Sequence, residues 1–109
     1  MPSGHRDLLA RLDGLCSNLT EATPDHEAAF LLSEMHAALS AYFRREEQLI
    51  RQNRDTGFGE LKVRHDGLLQ EIRDLIEKPG KRTGPDFGPS LSARFHAWFE
   101  RHARNGNGE

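Results

Sequence analysis

The chain has a single cysteine, Cys16, among its 109 residues, which excludes an intrachain disulfide and a cluster of thiolate metal ligands. It also lacks an excess of positive charge, with a formal net charge of −2 and an isoelectric point of about 6.3. We therefore expect neither nucleic acid nor an anionic membrane surface as a partner. The N-terminus has no apolar signal segment, and no apolar run approaches the roughly 20 residues that cross a bilayer. These features predict a cytoplasmic protein.

Strand signals are missing too, and apolar residues instead recur at steps of three and four, which is typical of amphipathic helices. We predict four helices, at about residues 4–20, 24–53 and 60–78 and from Ser90 onward, with the segment 79–89 as one long loop. The polar C-terminal tail is expected to fray. Amphipathic helices with mostly short connections predict an all-α fold, an up-down-up-down antiparallel four-helix bundle. The length suits one domain, covering residues 1–109.

The apolar stripe of the second helix contains a carboxylate where a core residue is expected. Its segment 38–50 has no glycine or proline, and the stripe reads Leu32, Met35, Leu39, Tyr42, Glu46, Leu49 and Ile50. Glutamate is almost never fully buried unless it is paired or binds a metal, because removing a charge from water is costly. Glu46 is therefore a candidate functional residue.

Each of the other three helices places one histidine on its apolar stripe: His5, His65 and His102. Helices rise about 1.5 Å per residue, so counting from the turns brings these histidines and Glu46 to nearly one level of an antiparallel bundle. Tyr42 lies one turn from Glu46 on the same face. Imidazole and carboxylate without thiolate suit iron, manganese or zinc. The alternatives are that each core histidine is a structural residue and that Glu46 lies at the edge of the apolar stripe and reaches solvent.

The remaining charged and histidine residues have simpler interpretations. We interpret His26 and His36 as surface or boundary residues, and we assign His96 no role. The solvated helix faces are expected to carry Arg44, Arg45, Glu47, Arg101 and Arg104.

The segments 42–50, His65-Asp66 and 98–102, together with His5, resemble the hemerythrin family and especially its bacterial single-domain members. The similarity extends over essentially the whole chain in order. The resemblance implies a four-helix bundle that holds two irons through five histidines and two bridging carboxylates. It also implies reversible O₂ binding as the activity of many relatives.

The family's ligand set is incomplete in this chain. Four of its seven positions match, and they are His5, Glu46, His65 and His102. Tyr42 and Leu61 stand where the family has histidines, and Asn107 stands where it has a bridging aspartate. Leucine has no donor atom and asparagine has no charge, so the pattern favours one metal ion over a diiron centre. Tyr42 could ligate ferric iron as a phenolate or hydrogen-bond Glu46.

The resemblance and the polar layer together predict a hemerythrin-like protein that binds one non-haem iron, with zinc as the alternative metal. His5, Glu46, His65 and His102 are the predicted ligands, with Tyr42 as a fifth ligand or a hydrogen-bond partner. An open position for O₂, NO or peroxide predicts sensing or handling of a small ligand without enzymatic activity. Two alternatives stay open: a metal-free bundle that binds a protein partner of unknown identity, and a peroxidase-like redox enzyme.

Overall fold

The computed structural model describes residues 4–52, 58–82, 84 and 86–107, and the side chains of residues 4, 58, 79 and 103–107 lie outside this description. Four α-helices account for most of these residues: α1 (Gly4–Cys16), α2 (Asp25–Gln52), α3 (Phe58–Glu77) and α4 (Phe87–Asn107). A single turn of 3-10 helix, Pro79–Lys81, follows α3. The described ranges contain no strand, and the predicted all-α four-helix bundle is confirmed. None of the described helices is both long and apolar enough to cross a membrane.

The longest helix, α2, is the one against which the rest of the bundle is arranged. It contacts both α1 and α3, and α1 in turn contacts α4. Its 28 residues correspond to about 42 Å of helix, nearly the full 46 Å length of the molecule. Neighbouring helices run antiparallel, so the C-terminal ends of α2 and α4 lie beside the N-terminal ends of α1 and α3.

The core consists of apolar side chains that all four helices contribute to the interior. Its fully buried members include Leu12, Leu32, Met35, Leu39, Phe43, Ile72, Phe95 and Phe99. Phe43 is buried in α2, whereas the predicted stripe placed Tyr42 there, and Leu49 is 54% exposed. The predicted stripe kept a spacing of 3.5 residues, and a straight helix drifts from that spacing by about 20° per heptad. The buried face of α2 therefore moves from Tyr42 to Phe43 about five turns into the helix.

The turn between α1 and α2 begins earlier than the sequence predicted. α1 ends at Cys16, not near residue 20, and the amide of Leu19 then bonds the Cys16 carbonyl at 2.9 Å. The hydroxyl of Thr23 accepts the Thr20 amide at 2.9 Å and donates to the carbonyl of Asn18 at 3.0 Å. These local bonds satisfy the polar groups of the turn that an extended α1 would have used.

The start of α4 also differs from the prediction. The segment 79–89 was expected to be irregular throughout, but it contains a 3-10 turn and the first residues of α4, which begins at Phe87 instead of Ser90. Pro89 lies in the first helical turn, where its missing N–H removes no intrahelical hydrogen bond. At the other end, α4 continues to Asn107, beyond the predicted fraying point.

Gly88 determines how closely the start of α4 approaches the end of α1. A β-carbon at this position would lie 2.5 Å from the carbonyl oxygens of Cys16 and of Leu19. Such a distance is well inside a normal van der Waals contact, so only glycine fits at this approach. The backbone contact fixes α4 against α1 at the end of the bundle opposite the polar layer.

Candidate metal centre

Three of the predicted ligands meet near one end of the bundle. Glu46 lies about six residues before the end of α2, His65 about seven after the start of α3, and His102 about five before the end of α4. Because these helices alternate in direction, the three positions come to the same level. One ligand atom from each side chain lies within 4.8 Å of the others, and no other such group occurs among the described residues.

The distances within this group suit a metal ion. The Nε2 atom of His65 lies 3.1 Å from Oε1 of Glu46, and Nε2 of His102 lies 3.0 Å from the same oxygen. An ion held about 2.1 Å from each donor separates neighbouring donors by about 3.0 Å in an octahedron and about 3.4 Å in a tetrahedron. Two imidazole nitrogens and one carboxylate oxygen at this spacing fit the ligand preferences of iron and zinc.

Aromatic rings enclose the two histidines. His65 is fully buried, and its ring stacks on Phe43 with centroids 3.9 Å apart and an angle of 5° between the planes. The ring of His102 stacks on Trp98 at 4.7 Å and contacts the ring of Phe99 edge to face at 6.3 Å. These contacts fix the ring planes and exclude water from that side, which strengthens any electrostatic interaction at the Nε2 atoms.

The second ring nitrogen of His102 provides a further observation. This Nδ1 atom is buried and has no hydrogen-bond partner among the described residues. Buried polar atoms in purely structural layers are nearly always paired, and an exception calls for a functional or ligand-based explanation. Nε2 of His36 and Nε of Arg64 are unpaired in the same way, so this atom is not a specific sign of a metal site.

Glu46 is held in its charged form by its two imidazole neighbours. Burial acts to raise the pKa of this carboxyl, but hydrogen bonds from His102 and His65 outweigh burial and lower the pKa to about 2. A carboxylate that is ionised at neutral pH and only partly exposed is suited to binding a cation. The sequence-based choice of Glu46 as the central residue agrees with this geometry.

Tyr42 lies beside the group and not at its centre. Its half-buried ring contacts Phe43 and Phe99 edge to face. Burial raises the pKa of the Tyr42 hydroxyl to about 12, with further contributions from the negative charge of Glu46 and from a hydrogen bond to that carboxylate. The contact matches the predicted role of a hydrogen-bond partner, and the role of a fifth ligand stays a prediction.

His5 is not a member of the group of three. Its half-buried ring stacks on Phe99 with centroids 5.9 Å apart. Counting residues from the turns placed His5 at the same level as the other predicted ligands. In the structure its ring lies against Phe99, beside the group of three. Its role as a ligand therefore stays a prediction. Leu61 is buried, as expected of an apolar residue at a family ligand position, and the side chain of Asn107 lies outside the described residues.

Glu47 is the residue that the sequence interpretation missed. It was assigned to a solvated face, but its side chain is only 17% exposed, and its Oε2 accepts a hydrogen bond from Nδ1 of His65 at 2.8 Å. The shift of the buried face of α2 that buries Phe43 also turns Glu47 toward the interior, because Glu47 lies one turn after Phe43. The sequence does contain a sign of this contact: two glutamates stand side by side in α2, and the imidazole of His65 has two ring nitrogens that can each bond one of them.

The other histidines remain outside the centre. His26 is exposed and His36 is partly buried, as predicted. The Nε2 atom of His96 lies 2.8 Å from a carboxylate oxygen of Asp13, forming a surface contact between α4 and α1. The exposed residues Arg44, Arg45 and Arg101 agree with the predicted solvated faces.

In a comparison with protein-family models, the model described as the hemerythrin HHE cation-binding domain matches residues 3–109. Neither the comparison with curated proteins nor the comparison with solved structures gives a match. The matched range includes all three members of the group and all four helices.

Proposed function

Because the chain belongs to the hemerythrin HHE cation-binding family, we propose that it binds one metal ion through Glu46, His65 and His102. The observation that carries the proposal is the convergence of two Nε2 atoms and one carboxylate oxygen within 4.8 Å. His5 and Tyr42 are the further candidate ligands, since each lies against Phe99 beside this group. The ion would be held on one side by protein donors and would keep positions open on the other.

We propose non-haem iron as the resident ion, with zinc as the alternative. The mixed imidazole and carboxylate donor set suits both metals, and the family resemblance favours iron. One ion is favoured over two because Leu61, which stands at a family ligand position, is buried and has no donor atom. The single cysteine agrees with the cytoplasm as the proposed compartment.

The proposed role is to bind a small ligand such as O₂, NO or peroxide, for sensing or handling. Iron with open positions supplies a binding place for such molecules. The protein contributes aromatic walls from Phe43, Trp98 and Phe99 around the imidazoles, and these walls limit the access of water. Glu46 is the only carboxylate in the group of three, and both imidazoles contact the same oxygen of it.

Anaerobic titration with iron(II), followed optically and by mass spectrometry, tests metal binding directly. We expect about one ion per chain in the wild type. His102→Ala removes a donor and should abolish stoichiometric binding, whereas His96→Ala, which changes a surface histidine, should leave it intact. Metal-free protein after expression with iron, with no binding on titration, would contradict the proposal.

Addition of NO to the iron(II) form tests the proposed ligand role. We expect a new visible absorption band that appears only in variants that retain the ion. If none of NO, O₂ and peroxide changes the spectrum of the iron-loaded protein, metal binding stands but the proposed role in small-ligand handling is wrong.

A second candidate function is that of a metal-free module that binds a protein partner. It is favoured by the contacts of 3.0 and 3.1 Å through which His102 and His65 hydrogen-bond Glu46 without an ion. Under this function, His102→Ala would behave as an ordinary core substitution whether or not metal is supplied. The titration described above therefore separates the two functions.

A further inference from the structure

We propose that Glu47 is a positioning residue for the metal centre: its carboxylate holds the His65 ring so that Nδ1 carries the proton and Nε2 faces the ion. This inference rests on the proposed function, because it assigns a role to a residue that supports the same site. Glu47 is not itself a member of the group of three donors.

The hydrogen bonds of His65 place a different carboxylate at each of its ring nitrogens. Nδ1 lies 2.8 Å from Oε2 of Glu47, and Nε2 lies 3.1 Å from Oε1 of Glu46. A carboxylate accepts and does not donate, so Nδ1 is the donor toward Glu47 and, while no ion is bound, Nε2 is the donor toward Glu46. An ion at Nε2 would take the place of that proton, and a ring that keeps its proton on Nδ1 would then present the Nε2 lone pair to the metal, which is the arrangement that fixes metal-binding histidines in general.

The burial of Glu47 supports this role over that of a surface charge. Its side chain is 17% exposed, less than the 28% of Glu46, although the two are neighbours in the chain. Holding a carboxylate this far from water requires a compensating donor. Among the described residues, His65 is that donor.

The surroundings of the His65 ring leave one motion for Glu47 to control. Phe43 lies parallel to the ring at 3.9 Å and prevents the ring plane from tilting. A half-turn about the Cβ–Cγ bond would return the ring to the same plane with carbon in place of nitrogen at both carboxylates, and the Glu47 hydrogen bond disfavours this flipped orientation. His102 provides the internal contrast, because its Nδ1 has no partner among the described residues and its orientation lacks such a restraint.

Metal affinity provides the first test, with cobalt(II) as the probe because its bound form is visible optically. Affinity is measured by competition with a chromophoric chelator. We expect Glu47→Ala to weaken cobalt(II) binding by about 10- to 100-fold, the usual loss when a partner of a metal-bound histidine is removed. Glu47→Gln retains an acceptor oxygen and should lose less than Glu47→Ala, while the stoichiometry stays that of the wild type.

Asp66→Asn separates positioning from simple loss of negative charge. Asp66 adjoins His65 in α3, and its exposed carboxylate pairs with Lys62 at 2.9 Å. We expect this variant to change cobalt(II) affinity by less than about twofold, because exposed charges are well screened. Equal losses in Asp66→Asn and Glu47→Gln would attribute the effect to charge and overturn the positioning role.

Imidazole ¹⁵N chemical shifts of the metal-free protein provide the second test, which does not depend on metal binding. We expect a protonated, hydrogen-bonded Nδ1 at His65 in the wild type and loss of that signature in Glu47→Ala, with His102 unchanged. An unchanged His65 spectrum in a folded Glu47→Ala variant would overturn the inference. If wild-type protein binds no ion, the proposed function fails, and the ¹⁵N result alone still decides whether Glu47 orients the ring.

Discussion

At the scale of single residues, Glu46 links the charge of the site to the stability of the protein. Its pKa in the folded chain is about 2, below the ordinary value of 4.5, because the hydrogen bonds from His102 and His65 outweigh burial. A carboxyl whose folded-state pKa is depressed stabilises the protein above its unfolded-state pKa, and that contribution is lost as the pH falls through the folded-state value. The metal-free protein should therefore lose stability between about pH 4.5 and 2 through this group.

Replacing Glu46 by glutamine tests this prediction. At neutral pH we expect Glu46→Gln to reduce the free energy of unfolding by about 1–3 kcal/mol, since two hydrogen bonds to a charged acceptor are weakened. The difference from wild type should shrink as the pH falls from about 4.5 toward 2. Urea denaturation at a series of pH values in the presence of a chelator measures it. A difference that is constant across this range would show that the Glu46 charge contributes nothing to stability.

Tyr42 gives a second prediction at this scale. Its hydroxyl bonds the Glu46 carboxylate, so Tyr42→Phe should keep the metal stoichiometry and weaken affinity about tenfold by releasing one restraint on a ligand. Chelator competition measures the loss, and an unchanged affinity would contradict it. A visible phenolate-to-iron(III) band in the wild type that disappears in Tyr42→Phe would instead establish Tyr42 as a ligand.

The residue-level differences between sequence and structure have one physical origin. Glu46, His65 and His102 could be predicted from the sequence because each lies on an apolar stripe whose position follows from the helical period. The burial of Phe43 and Glu47 could not be predicted. The buried face of a helix shifts by a fraction of a residue per turn, and the sequence alone does not fix the size of that shift. Side-chain reach adds to this, since whether Glu47 bends toward His65 depends on the neighbouring helix.

At the scale of secondary-structure elements, the four helices were predictable, whereas some of their ends were not. The turn after Cys16 and the start of α4 at Phe87 depend on local hydrogen bonds and on tertiary contacts. The Ser90 amide, for example, bonds the Asp86 carbonyl at 2.8 Å. Pro89 looked like a loop residue in the sequence, and it is equally suited to the first turn of a helix. Glu46, His65 and His102 still lie at one level of the bundle, as predicted, because an error of a few residues at a helix end does not move the interior positions.

Gly88 provides the prediction for the packing of elements. Gly88→Ala would place a methyl group 2.5 Å from the carbonyl oxygens of Cys16 and Leu19, and both are backbone atoms that cannot move independently. We expect a loss of about 1–3 kcal/mol in the free energy of unfolding, as for other overpacked contacts. Chemical denaturation at neutral pH measures this loss.

Gly67→Ala is the matched control in an exposed part of α3. A β-carbon at Gly67 has nothing within 4 Å, so the better helix propensity of alanine should stabilise the protein by about 0.5–1 kcal/mol. The two substitutions are chemically identical and should have opposite signs. Stabilisation by Gly88→Ala would mean that the space beside Gly88 is wider than the distance of 2.5 Å to the two carbonyl oxygens.

At the scale of the whole molecule, three of the four helices are joined through the polar layer at one end of the bundle. Glu46, His65 and His102 belong to α2, α3 and α4, and their hydrogen bonds connect helices that are distant in the sequence. An ion bound by these residues would link the same three helices by stronger bonds. Metal binding should therefore be coupled to global folding, because the unfolded chain does not preserve the site.

This coupling predicts that metal raises the thermal stability of the whole chain. At a free metal concentration of about 100 times the dissociation constant, binding to the folded state alone adds about 2.7 kcal/mol. For a chain of this size each kcal/mol raises Tm by roughly 4–8 °C, so the shift should be about 10–20 °C. Calorimetry or circular dichroism with iron(II) under anaerobic conditions, and with zinc, measures it. His65→Ala should show no shift and His96→Ala the full one, whereas an unchanged wild-type Tm at saturating metal would favour the metal-free module.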